Sequence, residues 1–313
     1  MASRPDLDAW VYVLELIELY PEGDTMTTAV IGATGHVGSE IVRGLLARGD
    51  PVTALVRDPA KARRAFGKPD GLHIRATRLD DPRDLTEALD GIRRAFIAMG
   101  SIGIEGVLQR IAINAAAGIS SIEQITRLSV LNASAGSMGI NQRAHYSIDQ
   151  FASSTAVPYS TIRPAIFSVS LLAAAHEVRA SRTWTGLAVS GRMALMDHRD
   201  AAEAGLRVLT DPALWGAHHE LTGPAAMSWP EVIEMLSAEL GEHVTFRAAA
   251  ERQFLERLTG AGVPAGTAEL LITREWAILA GENDYTTDTF QQITGRPPRP
   301  VAEFLHEYRA EFA

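Results

Sequence analysis

From residue 28 to residue 163, short apolar runs alternate with amphipathic stretches. Ala29–Gly32, Val52–Val56, Leu72–Thr77, Ile92–Met99, Ile122–Val130 and Tyr159–Arg163 are brief and mostly apolar, as strands of a sheet covered on both faces are. Between them, Gly38–Arg48, Pro59–Phe66, Pro82–Leu89, Val107–Ala117 and His145–Thr155 read as helices, with Gly49 and Pro51 closing the first and Gly118 ending the fourth. Strands that alternate with helices predict an α/β fold with a doubly wound parallel sheet. Right-handed crossovers then place helices on both faces.

Past Pro164 the alternation loosens. Trp229–Leu240, Ala249–Leu258, Ala265–Leu279 and Pro300–Ala310 keep helical spacing. Residues 166–313 are therefore expected to form a smaller, mostly helical substrate-side region that completes the domain begun by residues 26–165. Residues 1–25 stand apart as an extension. Leu7, Trp10, Val11, Leu14 and Ile17 suit a short amphipathic helix, which Pro21 and Gly23 stop. A docking helix, a contact in a homodimer and an upstream stretch from a mis-set start are all open readings of it.

Composition narrows the function classes. Hydrophobic residues make up 46% of 313, enough for a substantial core. The absence of cysteine excludes disulfides, thiolate nucleophiles and Cys-ligated metals. A net charge of −9 lacks the broad basic footprint of a nucleic-acid binder. The apolar run Trp10–Tyr20 contains Glu15 and Glu18, is too short to span a membrane, and lacks the flanks of a signal peptide. A cytoplasmic protein without membrane partners is expected.

The most informative segment is Ala29-Val-Ile-Gly32-Ala-Thr34-Gly35-His36-Val37-Gly38. Gly32 lets the chain turn off the strand, Gly35 lets backbone amides approach a diphosphate, and Gly38 lets the helix pack close to the sheet. The following helix N-terminus offers free N–H groups and a positive dipole end. The spacing is G-x-x-G-x-x-G, where the dinucleotide fingerprint more often reads G-x-G-x-x-G. The strand before it and the helix after it make this a Rossmann-type site for a dinucleotide. Arg57 ends the second strand, where an acid would bind the ribose 2′-hydroxyl of NAD and an arginine accommodates the 2′-phosphate of NADP. Lys61, Arg63 and Arg64 add positive charge, and Asp58 is expected to point elsewhere on the turn.

The chain from Met26 onward resembles the NmrA-like group of atypical short-chain dehydrogenases. The glycine segment followed by Ala54-Leu-Val-Arg57-Asp-Pro59 carries the resemblance. So do Arg127-Leu-Ser129, His145 with Asp149, Ile162-Arg163-Pro164, Phe167 and the tail Ile293-Thr-Gly-Arg-Pro-Pro298 with Ala302-Glu-Phe-Leu305. That family contains NAD(P)H-dependent reductases of quinones, dyes and enones, and nucleotide-binding redox sensors that catalyse nothing. The resemblance implies that Gly32, Thr34, Gly35, His36, Val37 and Arg57 hold the adenosine half of NADP(H). It implies that Ala98, Met99 and Gly100 lie along the cofactor, that Ser129 and Phe167 lie near the nicotinamide, and that Trp184 and Met196 fall in the substrate-lining segment. One departure is Thr77-Arg78-Leu79-Asp80, where relatives often have Gly-Asp-Leu with the acid on adenine.

A second departure concerns proton chemistry. Short-chain dehydrogenases usually carry Tyr-x-x-x-Lys on one helix face, the cation lowering the phenol pKa. Here the stretch is Tyr146-Ser-Ile-Asp-Gln150, and the only lysines are Lys61 and Lys68. A phenol without such a cation titrates near ~10, which suits Tyr146 to donating a proton or hydrogen bond more than to abstracting one. His145 is the other catalytic candidate, because imidazole titrates near ~6.5; a capping or packing role is its alternative. Asp149, four residues on, is within reach to orient it, with an ordinary helix-surface pair as the equal alternative. These features favour an NADPH-dependent reductase of a small conjugated or aromatic carbonyl compound. A nucleotide-sensing regulator and a non-redox biosynthetic enzyme are the competing readings.

No metal site is expected, since His218 and His219 are strand neighbours on opposite faces and no H-E-x-x-H occurs. Ser137 is not in a nucleophile elbow; its Gly136-Ser-Met-Gly139 stretch reads as a flexible loop. Trp215, Trp229, Phe254 and Trp276 are core by default, and Asp200 is expected to cap a helix starting at His198.

Overall fold

The computed structural model describes residues 27–100, 102–187 and 189–313; the helix expected at residues 7–17 lies outside the described residues. Eleven strands are assigned among them: β1 (Thr28–Ile31), β2 (Val52–Val56), β3 (Leu72–Ala76), β4 (Arg94–Ile97), β5 (Gln124–Leu128), β6 (Tyr159–Pro164), β7 (Thr183–Gly186), β8 (Arg192–Met193), β9 (His218–Leu221), β10 (Met227–Ser228) and β11 (Thr245–Ala248). The helices of the first half are α1 (His36–Ala47), α2 (Pro59–Phe66), α3 (Pro82–Ala88), α4 (Ile104–Ala117) and α5 (Ile140–Ser153). In the second half, a 3₁₀ helix (Ser168–Ala174) precedes α6 (Ala175–Ser181), α7 (His198–Thr210), α8 (Trp229–Leu240), α9 (Glu251–Gly260), α10 (Ala265–Leu279), α11 (Thr289–Thr294), α12 (Val301–Glu307) and α13 (Arg309–Phe312).

Seven strands form one parallel sheet in the order β3-β2-β1-β4-β5-β6-β9. This is the Rossmann order with a seventh strand, and the order reverses between β1 and β4. Alternate residues of β1 feed the two faces, as strand geometry requires. Val30 packs with Ile41, Val42 and Leu45 of α1 and Val208 of α7. Ala29 and Ile31 pack with Leu85, Leu108, Ile113 and Ile148 of α3, α4 and α5. A third core under the C-terminal helices gathers Leu171, Trp184, Trp229, Leu236, Phe304 and Phe312.

Local chemistry explains the element starts. Asp58 and Asp81 each precede a proline at the first helical position and accept hydrogen bonds from the next backbone amides, capping α2 and α3. Ser228 and Glu231 close a reciprocal capping box on α8.

Several boundaries differ from the sequence pattern. The strand β9 and the helix α7, both beyond residue 165, belong to the main sheet and the layer covering it. The helix expected from His145 begins at Ile140, which puts His145 in its second turn and ends any capping role for that residue. The cap of α7 is Asp197, accepting from the Arg199 amide. Asp200 instead lies fully buried, paired with Arg296 and Arg299 of the tail. Trp276 is partly exposed, its Nε1 donating to Glu251.

Candidate cofactor cleft and active site

At the C-terminal edge of the sheet, where the strand order reverses, lies a cleft of about 410 Å³. Its walls are Gly32, Ala33, Thr34 and Gly35 after β1; Leu55, Val56 and Arg57 on β2; Ala98, Met99 and Gly100 after β4; and Lys61, Leu79 and Glu105. The α1 N-terminus, on the cleft wall, has neither a side-chain cap nor an acid in its first turn; α5 shares that trait without lining the cleft, whereas α2 and α3 are both capped by aspartate. The positive end and free amides of α1 are thus left for an anion. Gly32 has φ +83°, and a Cβ there would overlap the Ala98 carbonyl oxygen. Gly35 has ordinary extended geometry, and its Cβ would sit 3.4 Å from the Gly32 oxygen. The protein itself does not demand glycine at position 35; a ligand pressed against the backbone would.

Cations gather at one end of the cleft. The Arg57 side chain is 71% exposed and meets Glu105 at 3.6 Å, a loose pair. Lys61 lines the same wall. The neighbouring acid Asp58 faces away: amides of Lys61 and Ala60 hold its carboxyl below the usual range. Arg78, standing where relatives often have an acid, turns out to Asp81 and Asp84. Leu79 takes its place on the cleft wall.

Behind the cleft sits a buried polar cluster centred on Arg127, the largest fully buried side chain. Its Nε donates to Tyr159 Oη at 2.8 Å, and one terminal nitrogen donates to Gln109 Oε1 and to His145 Nδ1, both at 2.9 Å. The other donates to Ser129 Oγ at 3.0 Å and to Asp149. Asp149 also accepts from Ser129 Oγ at 2.9 Å, Tyr159 Oη at 2.8 Å and Arg163 at 3.0 Å. Burial opposes its charge, but Arg127, Tyr159 and Arg163 outweigh that and hold its carboxyl below the usual range. Gln109 connects the cluster to the cleft, donating to the carbonyls of Met99 and Gly100.

The expected site residues divide accordingly. Gly32, Thr34, Gly35, Arg57, Ala98, Met99 and Gly100 come together on one cleft. Val37 points into the core, so only its amide is left for a ligand. His36 is exposed, its ring edge-on to His198 at 5.2 Å. The Ser129 hydroxyl is turned inward to Arg127 and Asp149. Phe167 follows β6 and bridges to Met196. Met196 is fully buried in the sheet core, so it lines no substrate cleft. Trp184 is part of a separate cavity. Tyr146 is half-buried on α5. His145 is buried and held by Arg127, not by Asp149 as its spacing implied. Burial, with the Arg127 charge beside it, pushes its pKa well below 6.5, which makes the neutral imidazole a weak base, and Arg127 already occupies its Nδ1. The loop at Ser137 is tethered, with Ser137 Oγ and the Met138 amide both donating to Glu282. The roles of Glu105, Gln109 and Arg127 were not read from sequence, because each depends on contacts between distant segments. Among the described residues no cluster of His, Asp and Glu has the make-up of a metal site, and no helix is long and apolar enough to cross a membrane.

The model of the NmrA-like family matches residues 24–288. The chain belongs to the NmrA-like family. An NAD(P)H azoreductase of Xenophilus azovorans is 31% identical to this NmrA-like chain over 286 residues, covering 90% of it and 98% of the relative. A (4-alkanoyl-5-oxo-2,5-dihydrofuran-3-yl)methyl phosphate reductase of Streptomyces griseus is 27% identical over 284 residues, covering 91% and 98%. The crystal structure of an NADPH-dependent quinone oxidoreductase of Escherichia coli complexed with NADPH superimposes with a TM-score of 0.83 at 26% identity, covering 90% of this chain and 99% of that one.

The buried cluster gives this NmrA-like protein an acid-sensitive stability. An unfolded histidine takes up a proton as pH falls through ~6.5. Folded His145 refuses it, as burial makes His198 and His218 do in part. Stability therefore falls as pH drops below about 6.5, at up to ~1.4 kcal/mol per pH unit for each such group. Asp149 adds a second loss only below its ordinary 3.8, as pH falls through its depressed folded pKa. Urea unfolding between pH 5 and pH 7 should show the first slope. His145→Gln, which keeps an acceptor for Arg127, should make it shallower; equal slopes would exclude His145 as a contributor.

Proposed function

We propose that this protein is an NADPH-dependent reductase that transfers hydride to a small conjugated or aromatic carbonyl compound such as a quinone or enone. The observation that carries the reading is the cleft at the strand-order reversal, with its uncapped helix N-terminus and its Arg57–Lys61 end. The residues fit NADP(H). The α1 amides and Gly35 suit the diphosphate, Arg57 and Lys61 suit the 2′-phosphate, and the one acid of that turn, Asp58, is engaged in capping α2. Leu55 and Leu79 offer apolar surface for adenine. Met99 and Gly100, held by Gln109, would flank the nicotinamide side. The relatives named as an NAD(P)H azoreductase and an NADPH quinone oxidoreductase support the same activity.

When bound, the nicotinamide supplies the hydride. The chain's part is to orient the acceptor and meet the charge that develops on its oxygen. Tyr146 is proposed to donate a hydrogen bond to that oxygen, and the proton completing the reduction comes from it or from solvent. No Tyr-x-x-x-Lys pair assists, because Gln150 stands four residues on. His145 lends its Nδ1 to Arg127 and is neutral near pH 7, so any part it takes is as an Nε2–H donor. Such a site helps an activated carbonyl accept hydride and gives little help to alcohol oxidation, which needs a base.

The test follows the absorbance of NADPH with quinones, enones and a plain secondary alcohol in the oxidising direction. Turnover of the first two, reduced severalfold in Tyr146→Phe, is expected. Tight NADPH binding without oxidation by any acceptor would refute the reading, and so would efficient alcohol oxidation. Arg57→Gln should weaken NADPH binding by roughly 10- to 100-fold, the value of a charge-assisted phosphate contact, and leave NADH binding nearly unaltered. Titration calorimetry with both nucleotides measures this directly; equal losses for both would place Arg57 away from the 2′-phosphate.

A further inference from the structure

A second cavity, of about 250 Å³, opens among the C-terminal helices and shares no lining residue with the cofactor cleft. Its walls are apolar and aromatic. Trp184 and Trp229 stand with ring centroids 5.8 Å apart at 34°, and Phe254, Leu258 and Leu271 complete the enclosure. Flat walls of this kind favour a planar ring. The volume admits roughly one or two rings, less than a typical drug-sized pocket holds.

Two connections tie the cavity walls to elements that carry residues of the proposed site, Phe167 and Tyr146. The 3₁₀ helix Ser168–Ala174 starts directly after Phe167, and its Ser170 and Ala174 line the cavity. Such a helix rises ~2 Å per residue, so its seven residues span about the length of a two- or three-ring molecule. The opposite wall comes from α10. There Arg274 and Glu275 face the cavity, while the adjacent Thr273 accepts from the amide of Ile140, the first residue of the helix that carries Tyr146.

The charges at the cavity edge are unequal. Glu275 is almost fully buried and accepts from Trp229 Nε1 at 2.9 Å and from Arg274 at 2.8 Å, which closes that pair. Arg257 is less satisfied. It lies over the Phe254 ring at 5.0 Å and reaches Glu177 at 3.3 Å and the Thr185 carbonyl at 3.4 Å. Both oxygens of Glu177 already accept from Thr185, and each terminal nitrogen of Arg257 makes one of these contacts, which leaves each with a second N–H to give. A guanidinium with spare donors beside an aromatic enclosure matches an anionic substituent on a planar ring.

We propose that this cavity anchors the distal aromatic ring of the acceptor and selects acceptors bearing an anionic group there, with Arg257 as the counter-charge. The inference rests on the reductase reading for what the site serves, and on the cavity alone for what it binds. Tryptophan fluorescence of the full chain without nucleotide is titrated with 2-naphthoate and with the neutral 2-naphthalenemethanol. Saturable quenching by naphthoate is expected, with the alcohol roughly tenfold weaker. Arg257→Met should erase that preference, and Arg257→Lys should keep most of it. With NADPH present, the ratio of kcat/KM for a carboxylated over an unsubstituted naphthoquinone should fall about tenfold in Arg257→Met. Absence of saturable quenching, a preference that survives Arg257→Met, or an unaltered kcat/KM ratio overturns the proposal. Arg257-dependent naphthoate binding without NADPH oxidation by any acceptor upholds the anion site and removes the reductase reading.

Discussion

Asp149→Ala is expected to cost about 3–5 kcal/mol, the usual effect of stripping a buried cation of its partner. Against a total stability of roughly 5–15 kcal/mol, that is enough to leave the protein marginal at 37 °C. The reason lies in the arrangement around Asp149. Arg127 is completely enclosed, and among the described residues its carboxylate partner is Asp149. Tyr159, Ser129, Gln109 and His145 can share its hydrogen bonds but cannot balance its charge. Arg163, only 13% exposed, leans on the same carboxylate. Asp149→Asn keeps an acceptor oxygen and should lose less. Arg127→Met combined with Asp149→Ala should be more stable than the sum of the single losses, because the double variant no longer buries the Arg127 charge unpaired, leaving the less enclosed Arg163 as the cation without its carboxylate. Urea unfolding of the wild type, Asp149→Asn, the two single variants Asp149→Ala and Arg127→Met, and the double variant tests this. A loss below about 1 kcal/mol in Asp149→Ala would show that the cluster draws its stability from elsewhere. Since Gln109 bridges Arg127 to the carbonyls of Met99 and Gly100, the folded fraction of Asp149→Ala should also bind NADPH more weakly.

This cluster also shows where the sequence stopped being legible. The period of apolar residues along one element is enough to mark β1, α1, β2 and the later strand–helix units, because each buries one face against the sheet. The aspartate–proline starts at 58–59 and 81–82 are equally local. So is the glycine segment, whose turn is decided within a few residues. Arg127, Asp149, Tyr159 and Arg163 are different. They lie on β5, α5 and β6, and a resemblance can mark most of them as recurring residues without saying what they touch. The i, i+4 spacing of His145 and Asp149 invited a pair on one helix face. The strong cation on β5 took both residues as separate partners instead. The same holds for Asp200, which reads locally as a cap and is claimed by Arg296 and Arg299 nearly a hundred residues away. A strand of only four residues, His218–Leu221, was missed as part of the main sheet because two histidines and a glutamate hide its period. Met196 was drawn toward the substrate by its position in the chain, but the sheet core had room for it.

Within the glycine segment, two alanine substitutions three residues apart should fail in opposite ways. Gly32→Ala is expected to cost roughly 3–5 kcal/mol, combining strain at positive φ with an overlap that cannot relax. The atom a methyl group would meet is the backbone oxygen of Ala98, at the end of β4 in the middle of the sheet. Gly35→Ala should alter stability by less than about 1 kcal/mol, since its backbone is extended and 3.4 Å from the Gly32 oxygen is a tolerable contact. It should nevertheless weaken NADPH binding tenfold or more, because the added methyl stands between the α1 amides and an approaching diphosphate. Thermal melts and nucleotide titrations on both variants separate the two effects. If Gly35→Ala bound NADPH like the wild type, the diphosphate would have to lie elsewhere in the cleft. If Gly32→Ala melted like the wild type, the close approach of the first turn to β4 would not be a feature of the folded protein. Stability lost at one glycine and affinity lost at the other would mean that the loop's shape is set by the sheet behind it, while its openness is kept for what binds in front.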